Sequence, residues 1–306
     1  MQPKHIGRIL TITAAILWGT SFPVIRFGLQ YVNPFSFVTA RFLVASIILL
    51  VVIFVKQKKV KFTIFKQYFL NKHIAILGFI NSLGFIFQFI GQTMTTATKA
   101  AMLINTNVIF VALISYFVLH EKMTIKRGIG IIIALLGIML IISEGNVNFL
   151  YSGTIIGDAI VFSASILWAV YIIEMKKSAV ENYDYLMFIS AMIFYTFLFN
   201  MIFSIPFLSF TFVSSFEAIY AILHTGILCT AIAFLLWFKG LEYIDATSSS
   251  IYMLLEVLTA ALISNVFLSE QITLGLVIGG FLLFMGIIIE ENYDKSTIDD
   301  GSIVQN

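Results

Sequence analysis

Long runs of apolar residues, each about the length needed to cross a lipid bilayer, constrain this chain more than any other feature of its sequence. Inside hydrocarbon every backbone amide has to be paired within its own segment, so a spanning helix needs about 20 largely apolar residues. Ten stretches meet this requirement, at residues 9–28, 35–55, 73–93, 98–119, 125–143, 154–173, 185–206, 217–237, 247–268 and 272–290. The sequence therefore predicts an all-α integral membrane protein with ten transmembrane helices.

The small number of charged residues supports the same prediction. Hydrophobic residues make up 60% of the 306 residues and charged residues only 11%, whereas soluble domains contain about 25% charged residues. A net charge of +2 is too weak to indicate nucleic-acid binding. The single cysteine, Cys229, excludes an intrachain disulfide or a thiolate metal site. We predict neither a cofactor nor a metal.

The positions of the basic residues predict how the chain is oriented. With the N-terminus in the cytoplasm, fifteen of the 18 lysines and arginines fall in cytoplasmic segments, including six lysines between Lys56 and Lys72. Cytoplasmic loops of membrane proteins carry such an excess of basic residues. We therefore predict a multi-pass protein of the cytoplasmic membrane with both termini in the cytoplasm. Residues 292–306 are predicted to form a disordered cytoplasmic tail.

The second half of the chain repeats the first at an offset of 149 residues. Between residues 91 and 140 the gapless comparison gives 15 identities in 50 positions. The polar and glycine matches are the evidence for a repeat, because apolar residues often match by chance in a chain of this composition. These matches are Gly91 with Gly240, Thr98 with Thr247, Ser115 with Ser264, Glu121 with Glu270, Gly130 with Gly279, and Gly137 with Gly286.

Each repeat contains five predicted spans, in residues 8–145 and 152–291. Because five is odd, the second copy has to enter the membrane from the opposite side. The prediction is two inverted five-helix repeats around a central cavity, an arrangement typical of secondary transporters. One alternative is a duplication that serves only packing, as in a membrane scaffold. The other is an intramembrane enzyme, although the sequence contains no recognisable nucleophile, metal or nucleotide motif.

Several short tracts stand out, and they are Leu17-Trp18-Gly19-Thr20-Ser21-Phe22-Pro23, Asn33-Pro34, Ala40-Arg41-Phe42, Leu119-His120-Glu121, Gly157-Asp158, Leu167-Trp168-Ala169 and Leu268-Ser269-Glu270. Together they resemble the EamA domain of the drug/metabolite transporter superfamily. The resemblance covers about residues 8–290. It implies ten helices around a central cavity and the movement, often the export, of small organic metabolites. The family commonly has a proline in the fourth span of each repeat, where this chain has Val108 and Val257. Local helix breaks at those two positions are therefore less strongly implied.

Glu256 is the first candidate for the substrate site. It lies near the middle of the ninth span, and ionisable side chains inside a membrane are costly and mark functional candidates. Its repeat counterpart, Asn107, lies at the same depth in the fourth span, and Tyr252 lies one turn before Glu256 on the same helix face. We predict that these three side chains bind substrate. The alternative is a protonated glutamic acid that serves helix packing.

Arg41 and Asp158 form a second candidate pair. Both lie in the outer halves of their spans, where a buried arginine needs water or a protein partner such as a carboxylate. The functional interpretation is an outer gate or a clamp for a substrate carboxylate. The alternatives are a structural ion pair and snorkelling of each side chain to the interface.

Aromatic and amide side chains near the span centres complete the predicted cavity. Trp18 and Trp168 are repeat counterparts, and with Tyr171 and Trp237 they can form an aromatic wall. Gln88 can line the same space. The alternative use of all five is packing or interhelical hydrogen bonding.

Two recurring glutamates lie at junctions between spans and loops. The recurrence of Glu121 as Glu270 predicts a role in capping and turn geometry rather than in transport.

These features predict a secondary transporter, with export favoured, that moves small organic metabolites or amino-acid-like, amphipathic compounds by alternating access. We predict no catalytic residues. The predicted partners are a small-molecule substrate and the lipid bilayer, and the sequence leaves a homodimer open.

Overall fold

The computed structural model describes residues 3–56, 62–94, 103–143, 154–181, 183–207, 215–268 and 274–299, which form helices joined by short turns. We number the helices along the chain. They are α1 (Pro3–Gly28), α2 (Pro34–Lys56), α3 (Phe62–Phe69), α4 (Lys72–Met94), α5 (Asn107–Val118), α6 (Ile125–Ser143), α7 (Ile155–Val180), α8 (Tyr185–Ser204), α9 (Phe216–Gly226), α10 (Ala233–Leu241), α11 (Ala246–Met253), α12 (Leu255–Leu268) and α13 (Leu274–Asp299). A π-helical segment, Ile227–Ile232, joins α9 to α10.

Within the described residues, seven helical stretches are long and apolar enough to cross a membrane, and two shorter apolar helices accompany them. The seven are Pro3–Gly28, Pro34–Lys56, Lys72–Met94, Ile155–Val180, Tyr185–Phe207, Phe216–Leu241 and Ala246–Ile263. The shorter helices are Leu103–Val118 and Val277–Ile289, within the predicted fourth and tenth spans. The all-α membrane fold is confirmed, while the count of ten spans stays a prediction.

Close glycine contacts between α6 and α13 show that the two repeats run in opposite directions. A Cβ atom on Gly137 would lie 2.5 Å from the carbonyl oxygen of Gly279, and one on Gly130 would lie 3.0 Å from that of Gly286. The earlier glycine of each helix meets the later glycine of the other, so the helices are antiparallel. Because these glycines are also repeat counterparts, a twofold axis perpendicular to the two helices exchanges them. Such an axis lies in the membrane plane.

A second set of glycine contacts obeys the same symmetry. A Cβ atom on Gly91 would lie 3.1 Å from the carbonyl oxygen of Gly157, and one on Gly240 would lie 3.0 Å from that of Gly7. Gly240 is the repeat counterpart of Gly91, and Gly157 is that of Gly7 at an offset of 150 residues. Helix α4 therefore meets α7 as α10 meets α1. The predicted inverted arrangement is confirmed.

We expect Gly137→Ala to lower the free energy of unfolding by about 1–3 kcal/mol, because the new methyl group would overlap backbone atoms of α13. Gly128→Ala is the matched control in the same helix, since a Cβ atom there meets nothing within 4 Å. Alanine is also the better helix former by about 1 kcal/mol. Thermal unfolding of both variants in one detergent measures the difference. Equal melting temperatures would contradict the close approach of α6 and α13.

Two membrane helices are interrupted within one residue of equivalent positions, since Leu254 is the repeat counterpart of Asn105, the residue before Thr106. The N–H of Leu254, between α11 and α12, donates to the carbonyl group three residues earlier, and so does the N–H of Thr106, just before α5. Such bonds belong to a tighter turn than the α-helix. The breaks form although Val108 and Val257 replace the prolines of the family pattern. They place Glu256 in the first turn of α12 and make Asn107 the first residue of α5.

Candidate functional site

A central cavity lies between the two repeats. Eight of the ten predicted site residues line it: Glu256, Asn107, Trp18, Trp168, Tyr171, Gln88, Trp237 and Arg41. Asp158 and Tyr252 are not part of its lining. Tyr252 is buried in an apolar cluster with Val108 and Leu255 instead, because the break at Leu254 interrupts the helical periodicity that would place Tyr252 on the face of Glu256.

Four aromatic rings from both repeats form one wall of the cavity. Trp18 lies 5.7 Å from Trp237, Tyr171 stacks on Trp237 at 5.9 Å, and Trp168 lies edge-on to Tyr171 at 5.7 Å, measured between ring centroids. The indole N–H of Trp18 donates to the Cys229 carbonyl at 2.7 Å, and that of Trp237 donates to Ser249 Oγ at 2.9 Å. These bonds fix two of the rings. The three tryptophans of the sequence all line this cavity.

Glu256 and Asn107 contribute polar groups at the starts of the two half-helices. Each side chain is 9% exposed, and both line the cavity. The side-chain amide of Asn105 forms a hydrogen bond with the Glu256 carboxyl group. The site therefore offers a mostly buried carboxyl group, held by an amide, beside aromatic surface.

Arg41 lines the cavity but does not pair with Asp158. Its Nε donates to Thr230 Oγ1 at 2.7 Å, and Nη2 donates to the Cys229 carbonyl at 3.4 Å. The guanidinium carbon also lies 5.0 Å from the centre of the Phe85 ring. Asp158 is half-buried in the first turn of α7, where the helix dipole stabilises a carboxylate. The predicted ion pair is therefore absent from this conformation.

The π-helical segment supplies both acceptors of Arg41. The N–H of Ala233 donates to the carbonyl groups of Leu228 and Thr230 rather than to that of Cys229. A regular α-helix would pair Ala233 with Cys229, four residues earlier. The Cys229 carbonyl is therefore free to accept from Trp18 and Arg41. Sequence analysis missed this segment, and π-bulges are frequent at functional sites.

Hydrogen bonds close the end of the bundle where α1 begins, which we call the N-terminal face. Glu121 accepts from the backbone N–H groups of Ala246 and Thr247 at 2.7 and 3.2 Å, and from Thr247 Oγ1 at 2.7 Å. Ser115 Oγ lies 2.7 Å from the same hydroxyl oxygen. The capping role predicted for Glu121 is confirmed, although the helix it caps, α11, belongs to the other repeat. Glu270 lies outside the described residues.

Charged groups reinforce this closure. Arg127 donates to the Asp245 carboxylate and to Ser248 Oγ at 3.2 Å. Burial opposes ionisation of Asp245, but the Arg127 guanidinium and hydrogen bonds from Ser248 outweigh it and hold the pKa of Asp245 below its usual range. Lys176 donates to the carbonyl groups of Leu241 and Ile244 at 2.6 and 2.8 Å. The ion pair between Arg127 and Asp245 thus joins the two repeats, while Lys176 holds carbonyl groups of its own repeat.

Metal ligation finds no support in the described part of the chain, where no three histidine, cysteine, aspartate or glutamate side chains are grouped so that they could hold an ion.

The fold and cavity define a class of protein. Apolar helices that cross the membrane many times, inverted repeats and a cavity between them are the architecture of membrane transporters. Comparison with known families identifies the member of this class: the EamA-like transporter family matches the chain twice, at residues 5–143 and 155–289. The chain belongs to this family. The repeat boundaries 8–145 and 152–291 stay predictions beside those matches.

Individual relatives agree with this assignment. A protein of Archaeoglobus fulgidus named an uncharacterized transporter is 31% identical over 289 residues, which cover 92% of this chain and 96% of the relative. The uncharacterized transporter YoaV of Bacillus subtilis is 25% identical over 91% of this chain and 94% of its own length. A solved crystal structure superposes with a TM-score of 0.80 at 16% identity, over 95% of this chain and 98% of the other. At that identity the likeness shows a shared fold.

Proposed function

We propose that this protein is a secondary transporter that carries small organic metabolites, including amino-acid-like and amphipathic compounds, across the cytoplasmic membrane. The supporting observation is the cavity that both repeats build, with Glu256 and Asn107 at the starts of two broken half-helices. Transporters with inverted repeats bind substrate near the bilayer midplane, where such discontinuous helices meet.

The lining of the cavity favours amphipathic substrates. Aromatic rings of Trp18, Tyr171 and Trp237 offer apolar surface to the body of a ligand, while Glu256 and Asn107 offer polar groups that orient it. Small-molecule sites commonly combine a mostly apolar wall with a few placed polar groups.

Alternating access in this proposal opens the cavity to one side of the membrane at a time. With both termini in the cytoplasm, the closed N-terminal face is the cytoplasmic face. Opening it requires α11 to separate from Glu121 and Arg127, which hold it through Thr247 and Asp245. Export then consists of loading from the cytoplasm, closure of this face and release on the other side.

Flux into liposomes tests the proposal. A thermal-shift screen of the purified protein against a metabolite panel first finds ligands, because a compound that binds only the folded state raises the melting temperature. Proteoliposomes should then transport such a ligand at a rate that saturates with its concentration, while protein-free liposomes should not. Chemical turnover without flux would identify an enzyme. Binding with neither flux nor turnover would identify a scaffold or receptor.

A further inference from the structure

We propose that the π-helical segment Ile227–Ile232 holds Arg41 as the binding group for a single carboxylate on the transported molecule. This inference rests on the proposed transport function, because it assigns the chemistry of the same cavity. It makes Thr230 and the backbone of Cys229 positioning groups for substrate recognition.

The described residues around Arg41 do not balance its charge. The side chain is 1% exposed, and the acceptors that contact its guanidinium are a neutral hydroxyl and a neutral carbonyl group. No carboxylate among the described residues lies within ion-pair distance of it. Burying a charge without a counter-charge is costly, and the face of Phe85 compensates only in part. The Arg41 guanidinium therefore brings to the cavity a positive charge without a neighbouring counter-charge, which an anionic ligand would neutralise.

Arg41 has N–H donors that no described residue uses. A guanidinium group carries five N–H donors in a planar fork. Nε is used by Thr230 and one N–H of Nη2 by Cys229, whereas the described residues provide no acceptor for Nη1. Because Arg41 lines the cavity, donors of Nη1 and Nη2 are available to a ligand there. Two donors from one guanidinium fit the two oxygens of a carboxylate.

Hydrogen bonds and close helix packing restrain the guanidinium plane of Arg41. Thr230 Oγ1 accepts from Arg41 at 2.7 Å and itself donates to the carbonyl of Thr225, five residues earlier, at 2.8 Å. Gly226 allows α2 to approach, since a Cβ atom there would lie 2.9 Å from the Arg41 carbonyl oxygen. The π-helical segment therefore holds the hydroxyl group of Thr230, and the close approach at Gly226 holds the backbone of Arg41. A guanidinium held in this way loses little further entropy when it binds a carboxylate.

The charges in the cavity indicate which class of anion fits it. Among the described residues that line the cavity, Arg41 is the one cation and Glu256 the one carboxyl group. A phosphate dianion would leave excess negative charge beside Glu256, whereas a carboxylate balances Arg41. We therefore assign the ligand class as monocarboxylates with an apolar or aromatic body.

Intrinsic fluorescence reports on this site directly, because all three tryptophans line the cavity. The probes are three acids and their neutral amides: benzoate, 3-phenylpropionate and hexanoate, with benzamide, 3-phenylpropionamide and hexanamide. For at least one pair, we expect the wild-type protein to bind the acid about tenfold or more tightly than the amide, as a charge-assisted hydrogen bond implies. Thr230→Val should weaken binding of the acid without changing that of the amide. Thr230→Ser, which keeps the hydroxyl, should restore the preference.

Arg41→Gln should remove the preference for the acid over the amide entirely, provided that this variant elutes as a monodisperse species in detergent. If it does not, the Thr230→Val variant provides the test. A wild-type protein that binds none of the acids more tightly than its amide overturns the proposal. So does an acid preference that survives in Thr230→Val. Flux separates this outcome from failure of the transport proposal. Saturable transport without a preference for the acids would contradict only the proposed role of Arg41. Acid-selective binding without flux would contradict only the proposed transport function.

Discussion

Glu256→Gln should reduce substrate flux in proteoliposomes by about 10- to 100-fold while the protein stays folded. Glutamine keeps the shape of the side chain but cannot ionise, and a hydrogen bond to a charged group contributes about 1.5–3 kcal/mol. Glu256 lines the cavity at the start of α12 and is 9% exposed, so little solvent competes for it. Initial rates at pH 5 to 8, with the melting temperature measured beside them, test this expectation.

Two further variants calibrate the Glu256 result. Glu242→Gln makes the same chemical change at a partly exposed carboxylate that pairs with Lys239, and it should leave flux unchanged because exposed pairs contribute little. Asn107→Ala removes a neutral hydrogen-bonding side chain from the cavity, and it should weaken substrate binding by about 1 kcal/mol, close to fivefold. Wild-type flux by Glu256→Gln at every pH would make this residue a packing group.

The fold was predictable because its determinants are properties of whole segments. The lengths of the apolar segments predicted the helices, and nearly all described residues of each predicted span are helical. The odd number of spans in each repeat required the inversion. Glycine matches such as Gly137 with Gly286 indicated the repeat, but they did not state which helices pack together. The structure shows that Gly137 contacts Gly279 instead of its own counterpart. That pairing follows from the twofold axis, which exchanges counterparts rather than placing them together.

The sequence predicts how far along its span each candidate residue lies, but it does not predict which neighbouring helix the side chain faces. Counting residues along a span places Arg41 and Asp158 at similar heights, yet height does not state which neighbouring helix a side chain faces. Arg41 faces Thr230, and Asp158 lies at the start of α7. Tyr252 was placed beside Glu256 on the assumption of a continuous helix, which the turn at Leu254 breaks.

The acceptors of Arg41 could not have been found from sequence. Thr230 is one of many hydroxyl side chains in apolar helices, and the Cys229 carbonyl is a backbone group. The π register that exposes this carbonyl arises within Ile227–Ile232, which contains neither proline nor glycine. Gly226, just before it, was the one local signal.

The proposed alternating-access cycle requires the N-terminal face to open. Ser115 and Thr247 form a hydroxyl pair between the repeats on this face. Their repeat counterparts are Ser264 and Thr98; Thr98 and the side chain of Ser264 lie outside what the structure describes. Because the Ser115–Thr247 pair has to separate when this face opens, a covalent link between the two residues should stop the cycle.

We expect a disulfide between Ser115→Cys and Thr247→Cys to reduce flux to the level of protein-free liposomes, and a reductant to restore it. The two hydroxyl oxygens lie 2.7 Å apart, so sulfur atoms in their places need little movement to reach the disulfide length of about 2.05 Å. Cys229→Ser supplies the background, because Cys229 is the single cysteine of the chain. Ligand binding measured by tryptophan fluorescence should persist in the oxidised protein, since the cavity can still open to the other side.

Each single-cysteine variant, oxidised in the same way, controls for damage to the protein and should transport normally. If the oxidised protein carrying Ser115→Cys and Thr247→Cys transported as fast as the same protein treated with reductant, substrate would cross without opening of the N-terminal face. Glu121 and Arg127 would then hold a static joint rather than a gate, and the two repeats would not alternate.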